Sequence, residues 1–156
     1  MVSLAVSNLG KMSLVFVQPG AKVDILYYCE NVLKQGLLPD IQALFGGDFT
    51  FQQGGAPCMK NCWLSAYSCT VPIFIEPENW PPNSPDLNPL DYAIWGALQQ
   101  LVYWQQVWDI EHLKDILVTS WEQICQACID QAVGQFRKRL ASIIAAKGGH
   151  VEHFFD

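Results

Sequence analysis

Positive charge is what this chain has least of. Nine Lys and Arg stand against fifteen Asp and Glu, giving a formal net charge of −6 and a pI near 4.9. Because Lys and Arg supply most non-specific affinity for phosphate, this balance argues against strong autonomous nucleic-acid binding. Any DNA contact is local or borrowed from a partner. Charge of either sign is scarce, at 15% of residues, while 51% are hydrophobic. That excludes a disordered tail and suits one domain of 156 residues with a buried core. Also missing are a basic run that would address the chain to the nucleus, an internal repeat and any low-complexity segment. No apolar stretch approaches the roughly 18 residues needed to span a bilayer, so no membrane partner is expected. The opening Met1 to Val17 is apolar, but it lacks a basic start and is interrupted by Asn8 and Lys11. It reads as a strand pair in preference to a signal peptide.

Cysteine, by contrast, is present six times, at 29, 58, 62, 69, 125 and 128. Without a secretory signal, the reducing interior of a cell is the expected context, and the six are expected as thiols. Cys125 and Cys128 form a CxxC, and Cys58 and Cys62 lie four apart, so each pair could share a helix face and a zinc ion. The spacing lacks the paired short loops of zinc ribbons, and the neighbours Trp63, Ile124 and Ile129 are core-like. The reading is small buried hydrophobes, with a zinc or thiol protein as the distant alternative. Basic residues gather late, at Arg137, Lys138, Arg139 and Lys147, with Ile143 and Ile144 among them. They read first as the solvated face of an amphipathic helix and second as a DNA-contacting patch.

Along the chain, Val2 to Val6 and Ser13 to Gln18 are β-type runs flanking Asn8, Leu9 and Gly10, which predicts a hairpin. From Val23 to about Phe45, apolar Leu26, Cys29, Leu33, Leu37, Ile41 and Leu44 recur at helical spacing, with a break expected around Gly36 to Pro39. Strands are predicted at Phe49 to Gln53 and Val71 to Ile75, with a helix from about Cys58 to Cys69 between them. Residues 76–89 hold five of the nine prolines, which makes a rigid extended loop. Asn88 is a good N-cap with Pro89 at the first helical position, opening a helix with Leu90, Ile94, Leu98 and Leu101 on its apolar face. Helices at about Asp109 to Cys125 and about Asp130 to Lys147 follow, then a Gly-Gly stop. The order is mixed α/β and not a βαβ array.

Four stretches carry a resemblance: MVSLAVSNLGK at 1–11, FQQGGAP at 51–57, WPPNSPDLNPLDYAIWG at 80–96 and AAKGGHVEH at 145–153. In order and spacing they resemble mariner-type transposases of the DDE superfamily, and the Pro-punctuated third stretch is the specific one. The resemblance implies a single partial catalytic domain over 1–156, ribonuclease H-like: a mixed sheet flanked by helices, lacking the first, central strand and followed by C-terminal helices. It implies DNA cleavage and strand transfer with two magnesium ions held by three carboxylates, and a nuclear location. Two cations a few ångströms apart need several anionic oxygens to bridge them.

Carried over residue by residue, the resemblance puts the third acid on Asp91 and the second on Gly54, where the carboxylate is lost. Thirty-six residues separate Gly54 from Asp91, which suits the family's interval and makes Gly54 a substitution in register. Asp91 lies three residues after Asn88, where the helix dipole favours an ionised carboxylate; without the family it reads as a capping-box acid paired with Asn88. The first acid and the upstream helix-turn-helix region have no counterpart, and Met1 aligns with an internal position of the family pattern. Asp24 reads as an N-terminal helix acid, and Asp86 as a turn residue. With one carboxylate against four positive charges, the expectation is a remnant that does not catalyse. In a ribonuclease H-like sheet the missing strand would leave two edges, to be closed by direct pairing or by a borrowed strand, or left partly molten. The alternative is an interaction module, self-associating or binding and inhibiting intact transposases.

Overall fold

In a computed structural model of the chain, residues 1–46, 49–52, 73–75, 79–81 and 84–149 are described. The predicted helix at Cys58 to Cys69, Gly54 and the tail from His150 lie outside them. The chain divides into two compact units: Met1–Ala5 with Leu9–Asn83, and Val6–Asn8 with Ser84–Asp156. Both combine into a mixed α/β content in which helices outweigh short paired strands.

In the first unit the hairpin forms as expected, but in short pieces. Strand β1 (Val2–Ser3) pairs antiparallel with β4 (Val15–Phe16), Val2 opposite Phe16, and the pairing continues inward through Met12 N–H to the Ala5 carbonyl at 3.1 Å. Strand β3 (Gly10–Lys11) follows the turn at Asn8 and Leu9, while β2 (Val6–Ser7), which precedes that turn in sequence, is counted with the second unit. Strand β5 (Thr50–Gln52) pairs in parallel with β6 (Ile73–Ile75), Phe51 opposite Phe74. Among the described residues β1–β4 and β5–β6 remain separate two-stranded sheets, so direct pairing does not join them.

Asp24 starts the long helix. Its extended backbone ends the preceding segment, and its Oδ1 accepts the Tyr27 N–H at 2.9 Å, satisfying one of the donors that a helix start leaves open. The helix runs as α1 (Ile25–Tyr27), a π-helical stretch (Tyr28–Leu37) and α2 (Leu38–Phe45). The break expected at Gly36 to Pro39 is therefore a change of pitch. Leu38 donates to the Leu33 carbonyl five residues back, and this widened turn precedes Pro39, which has no N–H to give and would crowd a regular α turn. The wider turn also rotates the buried face. Cys29, Leu33, Leu37 and Ile41 are buried as expected, joined by Tyr28 and Val32, whereas Leu26 and Leu44 are exposed.

These residues form one core with Met12, Val17, Leu38 and Phe49. The hairpin is tied to the helix by Ser13 N–H donating to Asp40 Oδ2 at 2.7 Å. Gly36 lets the two approach closely, since a Cβ there would come within 2.6 Å of Val15 Cγ2. Cys29, expected as a thiol, is disulfide-bonded.

The second unit begins with a 3-10 turn (Pro85–Leu87) inside the segment expected to be irregular. Pro85 fits its first position, where ring-locked φ suits the turn and no N–H is needed, and Asn88 N–H closes it on the Pro85 carbonyl. A π-helical Leu90–Ile94 leads into α3 (Trp95–Tyr103), then come α4 (Ile110–Gln123) and α5 (Gln126–Ala145). Asp109 caps α4 by accepting the His112 N–H at 2.7 Å. Helix α5 begins earlier than the sequence pattern indicates, directly after Ile124 and Cys125. It ends at the Gly-Gly stop, where Lys147 takes a positive φ of 52° and Gly148 N–H returns to the Ile143 carbonyl at 2.9 Å. The core of this unit is Leu87, Ile94, Leu98, Ile116, Trp121, Ile124, Ile129 and Ala132.

Gly36→Ala tests the close approach. The overpacking is expected to lower unfolding free energy by roughly 1–3 kcal/mol, offset by less than about 1 kcal/mol of helix propensity, with partial recovery when Val15→Ala is added. Urea unfolding of the single and double variants measures it; an unchanged or raised midpoint for Gly36→Ala contradicts the packing described.

Candidate functional site

The sequence points to the helix that follows Pro89, and there the local geometry is set by Asn88. Its backbone carbonyl accepts the N–H groups of Asp91 at 2.9 Å and Tyr92 at 3.1 Å, and its side-chain Oδ1 accepts the Leu90 N–H at 3.2 Å. With Oδ1 committed to a donor, the amide Nδ2 is the group presented to Asp91, and it donates to Asp91 Oδ2 at 2.9 Å. This differs from the reciprocal capping box expected of the pair: the contact is between side chains, and Asp91 does not reach back to the Asn88 backbone.

Asp91 retains an exposed surface, but its carboxyl group is partly desolvated against the helix start. Burial pushes its pKa above the ordinary carboxylate value of 3.8, and the Asn88 hydrogen bond pulls the other way without prevailing. Burial thus works against the ionised form that the position at the helix start was expected to favour. The donor set does not fit a two-magnesium centre. The Asn88 amide already takes up Asp91 Oδ2, and among the described residues no three His, Cys, Asp or Glu side chains converge on a metal position.

Beside Asp91, a group that sequence reasoning placed on the solvated face turns inward. Arg139 is 6% exposed, and its guanidinium carbon lies 3.9 Å from the centre of the Tyr92 ring. It also bonds Gln135 Oε1 at 3.2 Å and the Asp86 carbonyl at 3.5 Å, so it ties α5 to the 3-10 turn. Tyr92 in turn donates its hydroxyl to the Ala132 carbonyl. Burial raises the Tyr92 pKa, against a lowering by the Arg139 charge. Asp86, read as a turn residue, is in the turn but buried. Arg137 and Lys138 are exposed on α5, as a solvated face requires. Nothing in the sequence marks the Tyr92–Arg139 pair, because the two lie 47 positions apart and Arg139 sits in a run of basic residues.

Cys125 and Cys128 also depart from expectation. They are exposed free thiols with sulfurs 3.0 Å apart, not buried hydrophobes. Their spacing is plain from the residues, whereas their position at the start of α5 is not.

Compared with known proteins, the chain is similar to transposases of transposable elements. It is 28% identical over 145 residues to the Tc3 transposase of Caenorhabditis elegans, covering 92% of this chain and 42% of that protein. It is 24% identical over 135 residues to the Tcb2 transposase of Caenorhabditis briggsae, covering 85% and 48%. With the Tc1 transposase of Caenorhabditis elegans it shares 25% over 119 residues, covering 76% and 42%. The chain thus spans less than half the length of these curated relatives. No protein-family profile matches it, and no solved structure does. The sequence is transposase-related, and among the described residues no helix is long and apolar enough to cross a membrane.

Two measurements follow from this geometry. A carboxyl-carbon NMR titration of Asp91 is expected to show a midpoint above 3.8, moving higher in Asn88→Ala. Since protonation is then easier in the folded state, the Asp91 contribution to stability falls as pH rises from 3.8 through the raised folded value, and Asp91→Asn removes that slope. A midpoint below 3.8 contradicts the desolvation. For the basic run, Arg139→Ala is expected to cost about 2 kcal/mol in urea unfolding and Arg137→Ala or Lys138→Ala less than about 0.5; equal losses at all three would contradict the burial of Arg139.

Proposed function

We propose that this chain is a remnant of the catalytic domain of a mariner-type DNA transposase, of the DDE superfamily with a ribonuclease H-like plan, and that it does not catalyse. The observation that carries the reading is the pairing of Gly54 with Asp91: the second acidic position holds glycine at the family's interval from the third. Gly54 has no side chain to ligate a cation. Asp91 alone offers one anionic group where two magnesium ions would bring four positive charges, so metal affinity is lost before geometry matters. The raised pKa of Asp91 supports this, because the burial behind it disfavours the ionised oxygen a hard cation needs.

The strand arrangement is in keeping with the same plan. A hairpin, a long helix and a parallel pair follow in order, and among the described residues the hairpin and the pair are separate sheets. DNA is the ancestral substrate and a nuclear location the ancestral one. For this acidic chain, DNA binding of its own is weak, with Arg137 and Lys138 as its exposed contacts and Arg139 held inward.

A second reading is favoured by one surface. Tyr103 at the end of α3 and Trp104 and Trp108 in the link to α4 are 76%, 89% and 75% exposed, an aromatic segment suited to a self-association or intact-transposase contact. Co-purification with a full-length relative, lost in Trp104→Ala/Trp108→Ala, supports a retained interaction module; a monomeric, partner-free profile removes it.

For the main reading, the purified chain is incubated with transposon-end DNA and Mg²⁺ or Mn²⁺. No strand cleavage or joining is expected, and none after Gly54→Asp alone, since two carboxylates still fall short of a caged pair of ions. Metal-dependent cleavage by the unaltered chain overturns the proposal.

A further inference from the structure

Transposase descent gives no role to the CxxC pair, which the fold places at a reactive position. Cys125 is the cap residue of α5, with extended backbone, and Cys128 lies in its first turn. The Cys125 carbonyl accepts the Cys128 N–H at 3.1 Å, so the backbone holds the two side chains on one side of the helix start. Gln126, between them, is pinned by Nε2 donating to Asp130 Oδ1 at 2.8 Å and to the Ser7 carbonyl at 2.9 Å. Both sulfurs are exposed and free, at a separation of 3.0 Å that needs to shorten by only about 1 Å to become a disulfide.

The two thiols are not equivalent. The hydrogen bond between the two thiols, together with backbone N–H groups at the helix start, holds Cys125 below the ordinary thiol range, while the same contact pushes Cys128 above it. They border an open groove of about 490 Å³ walled by Ala97, Leu101, Trp104 and Ile124, from which a disulfide reagent could approach.

We propose that Cys125 and Cys128 form a redox-active dithiol that exchanges with disulfides of the glutathione class, Cys125 attacking and Cys128 resolving. The Cys125 thiolate attacks one sulfur of the disulfide; that S–S bond breaks, and the departing thiolate takes a proton from solvent. Cys128 then gives its proton to water and attacks Cys125 Sγ, expelling the second glutathione thiolate and leaving a Cys125–Cys128 disulfide. Two electrons pass from the dithiol to the reagent, which ends as two thiols.

The test uses the full chain with glutathione disulfide, read by peptide mass mapping. The unaltered chain is expected to form the Cys125–Cys128 disulfide without accumulating a glutathione adduct. Cys128→Ser is expected to trap the adduct on Cys125, and Cys125→Ser to label Cys128 roughly tenfold more slowly. Iodoacetamide labelling of the unaltered chain, mapped to each cysteine, gives the same ranking without any substitution. Equal labelling rates at the two positions, or adducts that never resolve into the intramolecular disulfide, overturn the proposal.

Discussion

Where the helix after the proline-rich segment begins decides the chemistry of Asp91, and Asn88 sets that point with both its backbone and its side chain. Its carbonyl takes two N–H groups of the first turn, its Oδ1 takes a third, and the amide nitrogen that remains can only face the Asp91 carboxylate. One residue thereby fixes the helix register, the position of the carboxylate and the polarity of its nearest neighbour. Behind this start, Arg139 stacks on Tyr92 and reaches the Asp86 carbonyl, so the 3-10 turn, the helix start and α5 share one buried cation. The helix start is a built corner of the second unit, held whether or not Asp91 binds anything.

That distinction between a held scaffold and a working site runs through the account. A local hydrogen-bond pattern preserves the backbone around an acid at little cost, whereas binding a pair of hard cations demands several acids from different parts of the chain. Loss of one partner removes the second property and leaves the first. On the proposed reading, a glycine at position 54 beside an intact cap at Asn88 would be the product of such an uncoupling. In the first unit the hairpin and the long helix share one core with Phe49, and Phe51 of β5 packs against it, although among the described residues β5–β6 and the hairpin are not joined in one sheet.

Much of this was legible in the residues. Asn88 followed by Pro89, Asp24 before an apolar stripe, and Asn8-Leu9-Gly10 between β-type runs each name a local hydrogen-bonding event, and each occurs. What stayed hidden depends on distant or cumulative geometry. The π-helical pitch at Tyr28–Leu37 moves the buried face, exposing Leu26 and burying Tyr28, a shift that a count based on 3.6 residues per turn cannot foresee. Arg139 looked like part of a solvated run because nothing nearby in sequence announces the Tyr92 ring. Partial burial sets the pKa direction of Asp91, and Cys125 and Cys128 are exposed at the start of an α5 that begins earlier than its apolar pattern indicates.

The central claim is that one acid facing an amide donor does not cage divalent ions. Paramagnetic broadening of backbone NMR signals by Mn²⁺ tests it most directly, since Mn²⁺ occupies magnesium sites and reports its own position. The account predicts no selective broadening around Asn88 to Tyr92 as Mn²⁺ is titrated to millimolar concentration, only weak effects spread over exposed acids. Saturable broadening centred on Asp91 at micromolar Mn²⁺ would contradict it.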